Sequence, residues 1–331
     1  MADTCAGNTD REGVLSTTSV AHSSTATRPY GAYAMMFIAM AMSGGNYVAA
    51  KFLNQELSPL TGASLRFVLA TAILMPLLLI REGRPSKTTA HHLPTLILMG
   101  ITGIFGFNAL LFLGLQTTTA TNASLITAAQ PMAVPLFSIP LLRERLTSIQ
   151  VVGIILSFLG VVYLIGQGSL TSILQMQFNI GDLLVVLSVL AAALYNTLSK
   201  KMIGIFSPVA ATAWACLWGT ILLALFALLD PAWQNLDRVT VVGYFAIVYM
   251  AVFGTVGTYV LFYAGMKAVP ASTAAIFTNV IPLTAVVWSA ILLGERLTIY
   301  VLVSAVVVLT GVFLTTQGPS LGRKRKPVAL S

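Results

Sequence analysis

Charge is what this sequence has least of. Of its 331 residues, 18 are Lys or Arg and 10 are Asp or Glu, which is 8%; a soluble domain carries about 25%. The few charges also cluster. Thr88–Leu142 runs 55 residues without one and Leu146–Gly181 runs 36. Met202–Leu229 and Val239–Met266 each run 28, Ala268–Gly294 runs 27 and Leu297–Gly322 runs 26. A membrane-spanning helix needs about 20 apolar residues to cross a hydrocarbon layer about 30 Å thick. These runs exclude a soluble globule. Cysteine is scarce too: Cys5 and Cys216 supply no disulfide framework and no metal-ligand spacing. There is no HExxH, no phosphate loop and no nucleophile–base pair, so the chain is not expected to be an enzyme and no cofactor is implied. Residues 1–29 hold no apolar h-region, which argues against a cleavable signal peptide, and their Ser/Thr/Ala-rich composition reads as a disordered tail.

What is present is a series of apolar segments. Ten spans are predicted, at 31–52, 60–80, 94–114, 119–141, 149–167, 182–201, 208–229, 240–264, 271–293 and 300–317. The net charge of +8 sits in the short connectors between them rather than on a folded surface, so it reads as helix orientation and not as a nucleic-acid site. With the N-terminus inside, 13 basic residues fall on the inner side, among them Arg81, Arg84, Lys200, Lys201 and Arg323–Lys326. At most 4 fall outside: Lys51, Arg66, Arg238 and Arg296. The positive-inside rule then places both termini in the cytoplasm of a cell whose inner or plasma membrane holds the chain.

The chain also resembles itself at one offset. Arg143–Thr147 reads RERLT and Gly294–Thr298 reads GERLT, 151 residues later. The same offset pairs Pro131 with Pro282, Gly103 with Gly254, Gly106 with Gly257, Gly114 with Gly265 and Gly160 with Gly311. Asn46 and Lys51 match Asn196 and Lys201 at 150. Each repeat holds five spans, an odd number, so the second must enter the membrane from the opposite side. Inverted repeats are a transporter architecture, because two similar halves of opposite orientation can exchange conformations. The expected fold is therefore all-α and polytopic: a tail at 1–29, a first five-helix repeat at 30–168, an inverted second at 169–317, and a basic tail at 318–331.

The paired RERLT and GERLT runs, the two mid-span prolines, the Asn46–Lys51 stretch and the repeated glycines resemble the EamA family of the drug/metabolite transporter superfamily. The resemblance covers about residues 31–317. It implies ten helices, cytoplasmic termini, a central cavity, and export of small metabolites or amino acids. One departure stands out: the family often has Trp-Gly in span one and Trp-Ala before the Tyr of span six, where this chain has Ser43-Gly44 and Ala193-Leu194-Tyr195.

Polar groups inside spans carry the functional information, since each costs free energy in hydrocarbon unless paired. Asn46, Asn108, Gln130, Asn196 and Asn279 are amides at such depths, and Tyr195, Tyr259 and Thr278 add hydroxyls. Singly, each is as well explained as interhelical glue; together they draw on both halves and outline a substrate-binding cavity. Arg66, about five residues inside span two, has Ala215 at its repeat position. It is expected either to attract a substrate carboxylate or to pair with Glu56. Lys51 is expected to snorkel to the rim. Pro131 and Pro282 are candidate kinks that free a backbone carbonyl. Glu144 and Glu295 stand beside Arg145 and Arg296 at helix ends, as neutralised pairs or as gates. No Asp, Glu or His lies deep in a span, which leaves a uniporter, an exchanger, or coupling through a rim carboxylate. The expected partners are a small-molecule substrate and the lipid bilayer, with no nucleic acid; a homodimer is compatible with the pattern. The rival readings are an organic-anion carrier using Lys51 and Arg66, and a membrane receptor without flux.

Overall fold

The computed structural model describes residues 30–82, 87–169, 179–202, 205–230, 236, 239–266 and 276–322. The tail 1–29, most of the connector between the fifth and sixth spans, the start of the ninth, Lys267 and the basic cluster Arg323–Lys326 lie outside the described residues.

Among the described residues, helical passages occur at each predicted span, in order. They are α1 (Tyr30–Glu56), α2 (Pro59–Glu82), α3 (Leu93–Gly114), α4 (Ala120–Leu142), α5 (Ser148–Ile165), α6 (Ile180–Lys201), α7 (Pro208–Leu228), α8 (Val241–Met266), α9 (Val280–Leu292) and α10 (Ile299–Gly322). Eight of these are long and apolar enough to cross a membrane. The other two are α1 and α9. α1 has 27 residues but is diluted by Ser43, Gly44, Gly45, Asn46 and Lys51, and the described part of α9 is 13 residues long. Helices suit hydrocarbon because they satisfy every interior backbone group within the segment. Their ends are closed by side chains. Thr119, Thr147, Ser207 and Thr240 each accept an N–H in the first turn of the helix they precede, and Thr147 completes a capping box with Gln150.

The RERLT and GERLT runs now have a physical meaning. Arg143 and Gly294 occupy equivalent positions, and both adopt left-handed backbone, with φ of 55° and 65°. Each stops its helix, and the next residue's N–H turns back onto Ser138 or Ser289. Thr147 and Thr298 then accept the first backbone bonds of α5 and α10. The motif is a helix stop followed by a helix start.

Neighbours come in matched sets. α1 packs on α8 and α9, as α6 packs on α3 and α4; α2 packs on α7 and α5 on α10. The α5–α10 seam is tight because Gly153, Gly160 and Gly311 bring backbones together, with Cβ positions at Gly153 and Gly311 falling 2.4–2.6 Å from the opposite helix. The connectors sort onto two rims. At one, Glu56 reaches Thr240, Asn179 reaches Thr117, and Glu295 reaches Ala120 and Thr121. At the other, Glu82 meets Ser207 and Glu144 meets Lys200. The RERLT connector therefore belongs to one rim and the GERLT connector to the other.

Candidate functional site

Two of the helices lose their regular turn at the same place in the repeat. Gly100–Gly106 in α3 and Tyr249–Gly257 in α8 are π-helical, and they contain the paired glycines Gly103/Gly106 and Gly254/Gly257. A π turn inserts one residue, widens the helix and leaves the local backbone bonding irregular; such turns concentrate at functional sites. The glycines admit close neighbours. A Cβ at Gly103 would lie 2.2 Å from the Tyr195 ring, and one at Gly254 would lie 1.8 Å from Asn46 Oδ1. Side chains take up the irregular carbonyls: Asn46 Nδ2 donates to Gly254 O at 2.9 Å and Thr255 Oγ1 donates to Met250 O at 2.8 Å.

A second pair of irregularities sits in α4 and ahead of α9. α4 breaks at Ala129, one residue before Gln130 and two before Pro131. The chain turns at Thr278 and Asn279 just ahead of Pro282. Both breaks are tightened by three-residue bonds, Ala129 N to Ile126 O and Asn279 N to Ile276 O. The prolines expected to kink their spans and free a carbonyl thus accompany full interruptions, since proline brings no N–H to the helical ladder.

Between these elements lies a cavity of about 300 Å³. Its wall takes Asn46 and Tyr47 from α1, Arg66 and Phe67 from α2, and Asn108 from α3. Gln130 comes from α4, Tyr195 and Asn196 from α6, Cys216 from α7, and Gly254, Thr255 and Tyr259 from α8. Seven sequence-chosen residues are brought together here: Asn46, Asn108, Gln130, Tyr195, Asn196, Tyr259 and Arg66. Thr278 and Asn279 are not in the wall; α9 contributes Ile281 instead, because the break turns those two residues out of its register. Tyr47, whose hydroxyl meets Thr127 Oγ1 at 2.5 Å, was not singled out in the sequence, since one tyrosine among apolar residues gives no signal.

Arg66 is the cation of this wall. It is 8% exposed. Its guanidinium donates from Nη1 to Asn108 Oδ1 at 3.5 Å and from Nη2 to Thr255 Oγ1 at 3.2 Å, and it lies 4.8 Å from the Phe67 ring centroid. Nε has no partner, and neither does the nearby Asn46 Oδ1. The expected pairing with Glu56 does not occur. The Glu56 carboxylate is committed at the rim, accepting the backbone N–H and the hydroxyl of Thr240, because it ends α1 where α8 needs a cap.

The rims correct three further expectations. Lys51 does not reach outward; its Nζ donates to Leu115 O at 2.7 Å and Thr118 O at 2.5 Å, where the carbonyls ending α3 lack helical partners. Glu295 does not neutralise Arg296. Its two oxygens accept Ala120 N at 2.8 Å and Thr121 N at 3.0 Å, capping α4 from the other half of the chain. Glu144 pairs with Lys200 rather than Arg145. Asp182, in the first turn of α6 and 2% exposed, accepts the Thr118 hydroxyl, a buried rim acid that its position at a predicted span end did not reveal. Among the described residues no group of three or more His, Cys, Asp or Glu is arranged to hold a metal ion.

The model of the EamA-like transporter family matches the chain twice, over residues 31–166 and 179–317. The chain is 30% identical over 286 residues to the uncharacterized transporter YyaM of Bacillus subtilis (strain 168), covering 86% of this chain and 93% of that protein. It is 31% identical over 288 residues to the uncharacterized transporter YetK of the same organism, covering 86% of each. A solved structure titled only as a crystal structure of a protein superposes with a TM-score of 0.60 at 19% identity. That match covers 89% of this chain and 99% of the other, and it shows the fold alone.

Proposed function

This chain belongs to the EamA-like transporter family and is a multi-pass membrane transporter, and from that premise we propose that it exports a small polar or amphipathic metabolite by alternating access. The solute sits in the central cavity. The observation that carries this reading is the wall itself: eight helices drawn from both family-matched segments converge on one cavity rich in amides and hydroxyls, flanked by π turns at repeat-related glycines. A receptor has no comparable use for a duplicated scaffold around a central cavity. The placement of RERLT and GERLT connectors on opposite rims supports an inverted repeat, and two halves so related open alternately to either face. The rim contacts of Glu295 and of the Glu144–Lys200 pair are the bonds such an exchange breaks and remakes. Cytoplasmic termini follow from the basic connectors. Outward transport is the direction that the family resemblance implies.

The test is transport by purified protein in proteoliposomes against a panel of metabolites. Asn46→Leu removes the amide that holds Gly254 O and faces the chamber; it should reduce flux at least tenfold at normal expression. Asn279→Leu, outside the wall, should reduce it far less. Equal flux in wild type and Asn46→Leu contradicts the site, and no flux of any solute returns the receptor reading. An organic-anion carrier is the second reading, and Arg66 is the observation that favours it.

A further inference from the structure

We propose that the solute is a monoanion, a carboxylate on an apolar body, seated on Arg66. The inference rests on the reading above that the cavity is the transport site, and it names what that site selects. A cation within a membrane span is costly enough that it is rare without a partner of opposite charge or a polar cavity. Arg66 is more than nine-tenths buried, lines the cavity, and has no carboxylate within ion-pair distance among the described residues. A guanidinium has five donors in a planar fork. Two are engaged, both by neutral oxygens, and Nε is unpartnered. That fork fits a carboxylate through two parallel bonds.

The rest of the wall narrows the class. Among the described residues it contains no Asp or Glu, so a substrate ammonium finds no opposite charge there. Among the described wall residues Arg66 has no second cation beside it, which a phosphate dianion would call for. Lys51, one helix turn beyond the wall residue Tyr47, is held by the carbonyls of Leu115 and Thr118. Phe67, Phe107, Leu111 and Phe112 complete the surface with apolar side chains, which suit a hydrocarbon or aromatic body. One positive charge, no negative one, and an aromatic and aliphatic flank beside the neutral amides and hydroxyls together describe a receptacle for a monocarboxylate.

The experiment uses the full-length protein and four probes of one shape: 3-phenylpropanoate, 3-phenylpropanamide, 3-phenylpropylamine and phenylalanine. Thermal stabilisation measures binding, and counterflow in proteoliposomes measures transport. A charge-assisted pair in place of a neutral one is worth roughly tenfold in affinity. The acid should bind wild-type protein tighter than the amide by about that factor; the amine should not bind, and phenylalanine should fall between. Arg66→Gln should abolish the preference for acid over amide, and Arg66→Lys should retain part of it. The acid–amide ratio in wild type stands even if Arg66→Gln folds poorly. Amide or amine binding as tight as acid, an unchanged preference in folded Arg66→Gln, or no binding by any probe overturns the proposal. Charge-selective binding without counterflow supports the carboxylate seat and instead removes the carrier reading.

Discussion

The two halves of the chain share their backbone devices but not their side-chain chemistry. π turns recur at Gly103 and Gly254, helix breaks recur before Pro131 and Pro282, and left-handed helix stops recur at Arg143 and Gly294. The charged and polar groups diverge at matched positions. Arg66 faces the cavity where the second half has Ala215, and Glu295 caps a helix of the other half where Glu144 makes a half-exposed ion pair. Asn46 clasps Gly254, whereas Tyr195, rather than Asn196, covers Gly103. The difference teaches that duplication preserves the backbone devices, while the polar chemistry of the cavity comes from whichever half supplies the side chain.

The sharpest way to break this comparison is at the paired glycines. Gly103→Ala drives a methyl into the Tyr195 ring, a large side chain with little room, and should cost about 1–3 kcal/mol as overpacking, read as a lowered Tm in detergent. Gly254→Ala meets only the end of the Asn46 side chain, so stability should fall less and transport more, because the Asn46–Gly254 bond is displaced. Equal losses of both properties in the two variants would remove the distinction between scaffold and recognition.

The paired glutamates come next. Glu295→Ala strips two backbone N–H groups at the start of α4 of their acceptor and should cost about 1–2 kcal/mol. Glu144→Ala loses an ion pair whose partners are 55% and 35% exposed, worth 0 to about 1 kcal/mol, and should shift Tm little. The helix stops should respond with opposite signs. Arg143 holds a left-handed conformation that favours glycine, so Arg143→Gly should stabilise by about 1 kcal/mol. Gly294→Arg should lose a similar amount, since the Cβ position there meets no atom within 4 Å and the cost is purely backbone.

The helices were legible because a hydrocarbon solvent imposes a length and a composition on each crossing, and the long uncharged runs meet both. Span two, despite Arg66, and the short span five both stand. The cavity was legible in part for a similar reason: amides such as Asn46, Asn108 and Gln130 are conspicuous among apolar neighbours. Which of them share a wall was not, because that depends on helix rotation, and a one-residue π insertion or a break shifts the register beyond it. Thr278 and Asn279 form such a break themselves. The repeated Gly-x-x-Gly spacing at 103/106 and 254/257 was the available signal for the π turns, and in the sequence it marked only the repeat. Partners far apart in sequence were out of reach: Arg66 finds Thr255 across 189 positions, and Glu295 finds Ala120 across 175.

The claim beneath the whole account is that the second half lies upside down against the first. Single thiols introduced as Arg145→Cys and Arg296→Cys, each with Cys5 and Cys216 replaced by alanine, report on it through a membrane-impermeant maleimide applied to intact cells. Labelling of the Arg296→Cys protein alone, with the Arg145→Cys protein reacting only after the membrane is opened, is the predicted result. Labelling of both from outside, or of neither until lysis, would contradict it.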